Sequence, residues 1–363
     1  MDLFSVSDRA LNKVKFDKAY TRLNPRQREA VESIEGPVMV IAGPGTGKTQ
    51  ILSVRIGNIL RKTDTDPRSI LCLTYTDSGA MNMRQRLLEF IGSDAYSVGI
   101  FTFHSFCNKI IKDHPDEFRI RDGQEKVSDL EYAELLEEIF DELSPEDILY
   151  HSQQFNQNNI YRLKKFHELR KKENWDPNDI IALLDEEEKN APDDPQFQYQ
   201  INRKPFKIGD LNVNKLNKAR ASWERTRSFC RLSLRIDEKM AERSLYDYYD
   251  MIRWVLDKFK MDDAFLASYQ EQFLYILVDE YQDTNGSQND LLYSLLSFDQ
   301  QPNIFVVGDD DQAIFRFQGA KMDNMLEFKD KFHPKLIVLE DNYRSTQAVL
   351  DAAKLLITPN RKR

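Results

Sequence analysis

Residues 38–49, Val-Met-Val-Ile-Ala-Gly-Pro-Gly-Thr-Gly-Lys-Thr, leave a chain few ways to fold. Residues 38–41 are a short continuous apolar run, as a buried parallel strand should be. A glycine-rich turn follows (Ala42, Gly43, Pro44, Gly45, Thr46, Gly47), then Lys48, Thr49 and Gln50. Leu52, Ile56, Ile59 and Leu60 then recur at helical spacing. Strand, glycine-rich turn and helix in that order make an anion cradle. Glycines let backbone N–H groups close around the anion, and the helix points its positive end at it. In such a cradle Lys48 reaches the β- and γ-phosphates, and the Thr49 hydroxyl takes one position on Mg²⁺. Position 42 is Ala where the strict pattern has Gly, but the flanking strand and helix support the reading. This is a nucleotide site.

Further apolar runs at 70–76, 98–103, 273–278, 304–307 and 336–339 read as strands. Between them lie helical segments: 78–91, closed by Gly92, and one entered through Asn24, which can cap it, with Pro25 in its first turn. Alternation of this kind predicts an α/β fold with a parallel, doubly wound sheet, and ligands of such sheets bind at the carboxyl ends of the strands. From 108 to 265 the chain is long, charged and mostly helical, broken by a loop-like stretch at 185–205. We read it as an inserted helical domain. The division expected is therefore 1–107 with 266–340 as the nucleotide-binding domain, 108–265 as the insert, and 341–363 as the start of a further domain.

Composition adds limits. At 41% hydrophobic and 31% charged residues, with no apolar run of membrane-spanning length, the chain reads as soluble and globular. No signal peptide is visible, and Cys72, Cys107 and Cys230 lie far apart without metal-ligand spacing, which suggests reduced thiols in the cytoplasm. The net charge of −9 hides an uneven distribution. Residues 195–235 hold ten Lys or Arg against two acids, a net +8, so the rest carries −17. That stretch is either a surface for a phosphate backbone or a solvated helix face offset by acids elsewhere.

Each strand ends in reactive residue types. Asp279 and Glu280 can divide two tasks of a nucleotide hydrolase, Asp279 toward Mg²⁺ and Glu280 toward the attacking water. Gln312, after Gly308 and three acids, either senses the γ-phosphate or closes a turn. Phe315 and Phe317 either stack on unpaired bases or belong to a core. Arg344 is placed to stabilise transition-state charge and Tyr343 to stack on the base, unless both are plain surface residues.

These blocks together resemble the N-terminal part of a superfamily 1 helicase of the UvrD/Rep/PcrA type, with its P-loop NTPase, RecA-like sheet. The matching stretches are 23–27 (Q motif), 42–49 (motif I), 73–86 (Ia), 101–106 (Ib), 278–285 (II), 307–320 (III) and 339–346 (IV), and 244–252 resembles the segment re-entering the motor domain. The resemblance implies that Gln27 reads adenine, Lys48 and Thr49 hold phosphate and Mg²⁺, and Asp279 binds the metal. It makes Glu280 the base and Gln312 the link between γ-phosphate and DNA. Tyr343 stacks on adenine, and Arg344 and Arg84 contact phosphate. Tyr75, Thr76, Thr102, His104, Phe315 and Phe317 fall where the family lines its single-strand track. The implied activity is ATP-driven 3′ to 5′ translocation on single-stranded DNA, with unwinding at single-strand/duplex junctions.

Some positions depart from the pattern: Gln50 for Arg, Asp77-Ser78 for Asn-Lys, Phe317 for Trp and Gln318 for Arg. The second motor domain, with motifs V and VI, is not in these 363 residues, so weak ATP binding and poor turnover are expected. Two other readings stay open. One is a nucleotide-dependent module that binds DNA or protein without unwinding; the other is the helicase part of a RecB-like helicase–nuclease. RNA as substrate is open too.

Overall fold

The structure is a computed structural model and describes residues 3–118, 123–150, 156–202, 205–309 and 322–357. It opens with helix α1 (Leu3–Thr21) and α2 (Pro25–Glu32). Asn24 caps α2 by accepting from the Gln27 N–H, and Gln27 returns a bond to the Asn24 N–H, a reciprocal box that fixes where the helix starts. Strand β1 (Val38–Ala42) leads through the glycine turn into α3 (Lys48–Lys62). Then come β2 (Ile70–Thr74), α4 (Asp77–Ile91), β3 (Gly99–Thr102) and α5 (Phe103–Asp113). The side chains of Thr76 and Thr102 cap α4 and α5, so both strands turn into helices within two residues.

The next elements are β4 (Glu125–Lys126), α6 (Asp129–Asp141), α7 (Asn156–Lys172), α8 (Pro177–Asn190), α9 (Val213–Glu242) and β5 (Leu245–Tyr246). The chain continues through α10 (Asp250–Met261), α11 (Asp263–Gln272), β6 (Tyr275–Val278), α12 (Gly286–Leu296) and β7 (Ile304–Gly308). It ends with α13 (Met322–Phe332), β8 (Lys335–Leu339) and α14 (Gln347–Ile357).

Two compact units result: Met1–His114 with Met251–Arg363, and Pro115–Asp250. The second is narrower than the expected 108–265. Helix α5 buries Phe106 and Ile110, and α11 buries Tyr269, in the first unit. Phe106 meets Tyr269 and Phe273 edge-on.

In the first unit, six strands form one all-parallel sheet in the order β3-β2-β6-β7-β1-β8. The α/β reading holds. Strands β1, β2, β6 and β7 are almost wholly buried, which matches their unbroken apolar runs. All six point their carboxyl ends the same way, so every strand-end motif among the described residues arrives at one edge of the sheet. Neighbouring strands sit roughly 4.8 Å apart. The glycine turn after β1 is therefore two strands, on the order of 10 Å, from the end of β6, and four strands, on the order of 19 Å, from the end of β3.

The second unit is helical around Leu135, Leu136, Ile139, Leu163 and Ile236. Residues 185–190, four acids followed by Lys189 and Asn190 and expected in a loop, instead extend α8, which Asp176 caps and Pro177 begins. Helix α9 carries most of the basic stretch. Arg220 and Arg227 pair with Glu188, Arg227 also with Asp185, Arg231 with Glu224, and Arg235 with Glu238 and Glu242. Among the described residues, four of the ten cations are thus matched within this unit, as on a solvated face offset by local acids. In its interior Lys171 lies 2.8 Å from both Asp247 and Asp250, and Arg170 2.5 Å from Asp237. A buried ammonium is tolerable only with such partners.

Candidate nucleotide-binding site

The turn between β1 and α3 is tied down from both sides. Gly45 has φ +74°, and a Cβ built there would fall 2.6 Å from the Cβ of Arg344. Gly47 has φ +91° and caps α3. Neither position takes a side chain without strain. The Thr46 hydroxyl donates to the Gly43 carbonyl at 2.8 Å, and the Gln27 amide donates to the Thr46 carbonyl at 2.8 Å. Residues 341–345 close the other side. The Asn342 amide donates to the Pro44 carbonyl, and the Tyr343 N–H donates to the Gly45 carbonyl at 2.9 Å. The Asn342 side-chain oxygen Oδ1 accepts from the N–H groups of Arg344 and Ser345, each at 2.8 Å. These contacts place Tyr343 and Arg344 beside the turn, with Tyr343 exposed. Thr49 and Gln50 lie in the first turn of α3, both half-buried.

Asn24 joins these parts. Its amide nitrogen donates to Asp341 and to the Tyr343 hydroxyl, each at 2.9 Å, while its oxygen caps α2. Asn24→Ala should therefore cost about 1 kcal/mol, the usual value of a lost cap. That loss reads as a Tm lower by about 2 °C in a thermal melt.

At the end of β6 the two acids take different roles. Asp279 is buried and accepts from the Glu280 N–H at 3.0 Å. Burial, with the Glu280 charge added and Lys48 opposing, pushes its pKa up to about 7. Asp283 is raised in the same way, to about 6. Glu280 holds φ +50°, a left-handed conformation unusual for a residue with a side chain. There its carboxylate meets the Lys48 ammonium at 2.7 Å and the Gln282 amide at 2.9 Å. Gln282 is buried and uses both ends of its amide, since its oxygen accepts from the Asp309 N–H at 3.0 Å. It thus links the end of β7 to Glu280.

The rest of the expected residues lie along the same sheet edge but further off. Tyr75 and Thr76 follow β2 and are exposed. Thr102 and His104 are buried at the end of β3. Burial pushes the His104 pKa down to about 4, so at neutral pH it is a neutral ring and gives phosphate no charge. Arg84 corrects its expectation. Its guanidinium donates to the carbonyls of Ala95, Val98 and Ile100, which holds it beside β3, four strands from the glycine turn and out of reach of a phosphate bound there. Gln312, Phe315 and Phe317 lie outside the described residues.

The model of the UvrD/REP helicase N-terminal domain matches residues 23–333. The chain belongs to the UvrD/REP helicase N-terminal domain family. It is 30% identical over 344 residues to the ATP-dependent DNA helicase PcrA of Staphylococcus aureus, and 29% identical over 344 residues to that of Staphylococcus epidermidis. Each match covers 94% of this chain and 40% of the relative, so the chain spans well under half the length of these relatives.

In this UvrD/REP helicase domain, three site residues had no role in the sequence reading: Gln282, Asn342 and Asp341. Asn342 and Asp341 sit between two segments nearly 300 residues apart, a pairing that no local spacing reveals. The donor set suits Mg²⁺. No group of three His, Cys, Asp or Glu that could hold a metal exists among the described residues, but Mg²⁺ keeps most of its waters and takes one or two carboxylates plus phosphate oxygens. Burial, with the nearby Glu280 charge second, pushes Asp279 and Asp283 toward the neutral form, a penalty that a nearby cation would relieve.

Proposed function

We propose that this chain is the ATP-binding half of a DNA helicase that hydrolyses ATP with Mg²⁺ and moves 3′ to 5′ along single-stranded DNA, opening it at junctions with duplex. The observation that carries the reading is the Lys48–Glu280 contact at 2.7 Å across two strands of the sheet. It brings a phosphate-binding cation and a carboxylate suited to orient water to one point, beside a glycine turn shaped for phosphate. Asp279 and Thr49 would hold the metal, which when bound neutralises charge on the β- and γ-phosphates. Gln27 and Tyr343 flank the turn where a base would lie, with Arg344 nearby. We assign Gln312 the coupling role, and Tyr75, Thr76, Thr102, His104, Phe315 and Phe317 the strand track. We read the inserted domain as the part of 108–265 that forms the compact unit Pro115–Asp250, and 341–363 as the start of a second motor domain. No described helix is long and apolar enough to cross a membrane, and the cysteines are free and buried, which accords with work in the cytoplasm.

The test is steady-state ATP hydrolysis by the chain, with and without oligo-dT, beside Glu280→Gln. Slow turnover that falls about a hundredfold in the variant is expected, at the low end for loss of a base. ATP binding with no Glu280-dependent turnover would favour the binding-module reading instead.

A further inference from the structure

A cavity of about 500 Å³ opens between α4 and β3, lined by Asp77, Met81, Arg84, Tyr96, Phe101 and Ser105 among others. Its walls are unusual for a surface hollow. Met81 and Tyr96 are 64% and 69% exposed, and Phe101 is half-buried beside them. Flat and polarisable apolar groups gathered at one hollow, with a few polar groups beside them, are the lining a flat ligand such as a base needs. Arg84 also lines it, and its Nη1 and Nη2 are already committed to three backbone carbonyls. What it has left to offer is the face of its guanidinium, a surface on which a base can stack.

The mouth carries one acid. The Thr102 hydroxyl donates to the Ser105 oxygen at 2.8 Å, and the Ser105 hydroxyl donates to Asp77 at 3.4 Å. That relay ends on an acceptor. The second carboxylate oxygen of Asp77 has no partner among the described residues. A lone carboxylate repels phosphate, but it accepts from the exocyclic amine of a base, as acids do from N4 of cytosine. Thymine presents a carbonyl oxygen at the equivalent position and would be repelled.

We propose that this cavity takes one unstacked base of single-stranded DNA, with Asp77 selecting cytosine over thymine. The inference rests on the single-stranded-DNA reading above. It adds to that reading a subsite and a base preference at a position where the sequence departs from its family's pattern.

The experiment is fluorescence-anisotropy titration of the chain with labelled oligo-dC and oligo-dT of equal length at low salt. Both are weakly self-stacking pyrimidines, so their main difference is the group Asp77 would meet. Oligo-dC should bind about tenfold tighter, as one charge-assisted hydrogen bond allows. The preference should vanish in Asp77→Asn, whose amide can meet either base. Tyr96→Ala, at an exposed position that leaves the fold alone, should weaken oligo-dC more than oligo-dT. An oligo-dC carrying 5-iodo-cytosine should crosslink at Tyr96 or Met81, located by mass spectrometry. Equal binding of the two polymers by the unaltered chain overturns the subsite and leaves the DNA reading standing. A preference that survives Asp77→Asn overturns the assignment to Asp77. Failure of both polymers to bind overturns the DNA reading and the subsite together.

Discussion

Lys48→Ala should weaken ATP binding by about a hundredfold, whereas Glu280→Gln should tighten it. Lys48 is the first residue of α3, its side chain is 10% exposed, and its one ion-pair partner among the described residues is Glu280. A charged hydrogen bond of this kind contributes roughly 1.5–3 kcal/mol, and 2.8 kcal/mol is about a hundredfold in Kd. The same contact means that an arriving phosphate competes with Glu280 for the ammonium. It also meets the negative charge of Glu280 at close range. Removing that charge by Glu280→Gln takes away both the competitor and the repulsion while leaving a side chain of the same shape. The gain should be largest without Mg²⁺, when no cation offsets the carboxylates. Titration of a fluorescent ATP analogue into the three proteins, in EDTA and in Mg²⁺, reads this directly. Unchanged affinity in Lys48→Ala would mean that the glycine turn is not the phosphate site. Weaker affinity in Glu280→Gln would mean that the carboxylate supports the ligand instead of competing with it.

The sequence made the site legible where function depends on one segment, and hid it where two segments meet. The turn at 42–49 declares itself because strand, glycines, lysine and helix are contiguous, and the strand ends could be expected at one edge because parallel topology sends them there. The strand runs were legible for the same reason, since four of the six are buried on both faces. The roles of Asn342 and Gln282 were not, since each depends on a carbonyl or N–H supplied from elsewhere in the chain. Arg84 shows the opposite error. Its place within a phosphate-associated motif suggested a ligand contact, but the guanidinium on α4 instead donates to the carbonyls of Ala95 and Val98 before β3 and of Ile100 within it. The basic run at 195–235 left two readings open in the sequence for a similar reason. A count along the chain sees ten cations, while Arg220, Arg227, Arg231 and Arg235 meet carboxylates from α8 and α9.

Asp279→Asn should stabilise the ligand-free chain at pH 8 and destabilise it relative to the unaltered chain once Mg²⁺ and ATP are present. The ordinary aspartate value is 3.8, and in the fold burial, aided by Glu280, raises it to about 7. A carboxyl whose folded-state pKa lies above its unfolded one holds a proton in the fold after the unfolded chain has lost it. Stability therefore falls as pH rises from about 4 to about 7, and the full penalty is present at pH 8. The penalty is on the order of 4 kcal/mol, from about 1.4 kcal/mol for each tenfold change in proton affinity over a rise from 3.8 to about 7. Asparagine keeps an oxygen to accept from the Glu280 N–H and carries no charge, so in EDTA at pH 8 its Tm should be about 5 °C higher. The gap should close toward pH 4, where the folded-state acid is protonated and the unfolded one is near its own pKa of 3.8. Mg²⁺ with ATP reverses the order, because a ligand that binds only the folded chain stabilises it in proportion to its affinity, and the amide is the poorer metal ligand. A core residue that happens to be acidic would show the first effect without the second. Melts of both proteins across pH 4–8, with and without Mg²⁺ and ATP, separate the two: crossing stability orders identify Asp279 as the metal-binding acid, and an Asn variant that is more stable under every condition removes it from the site.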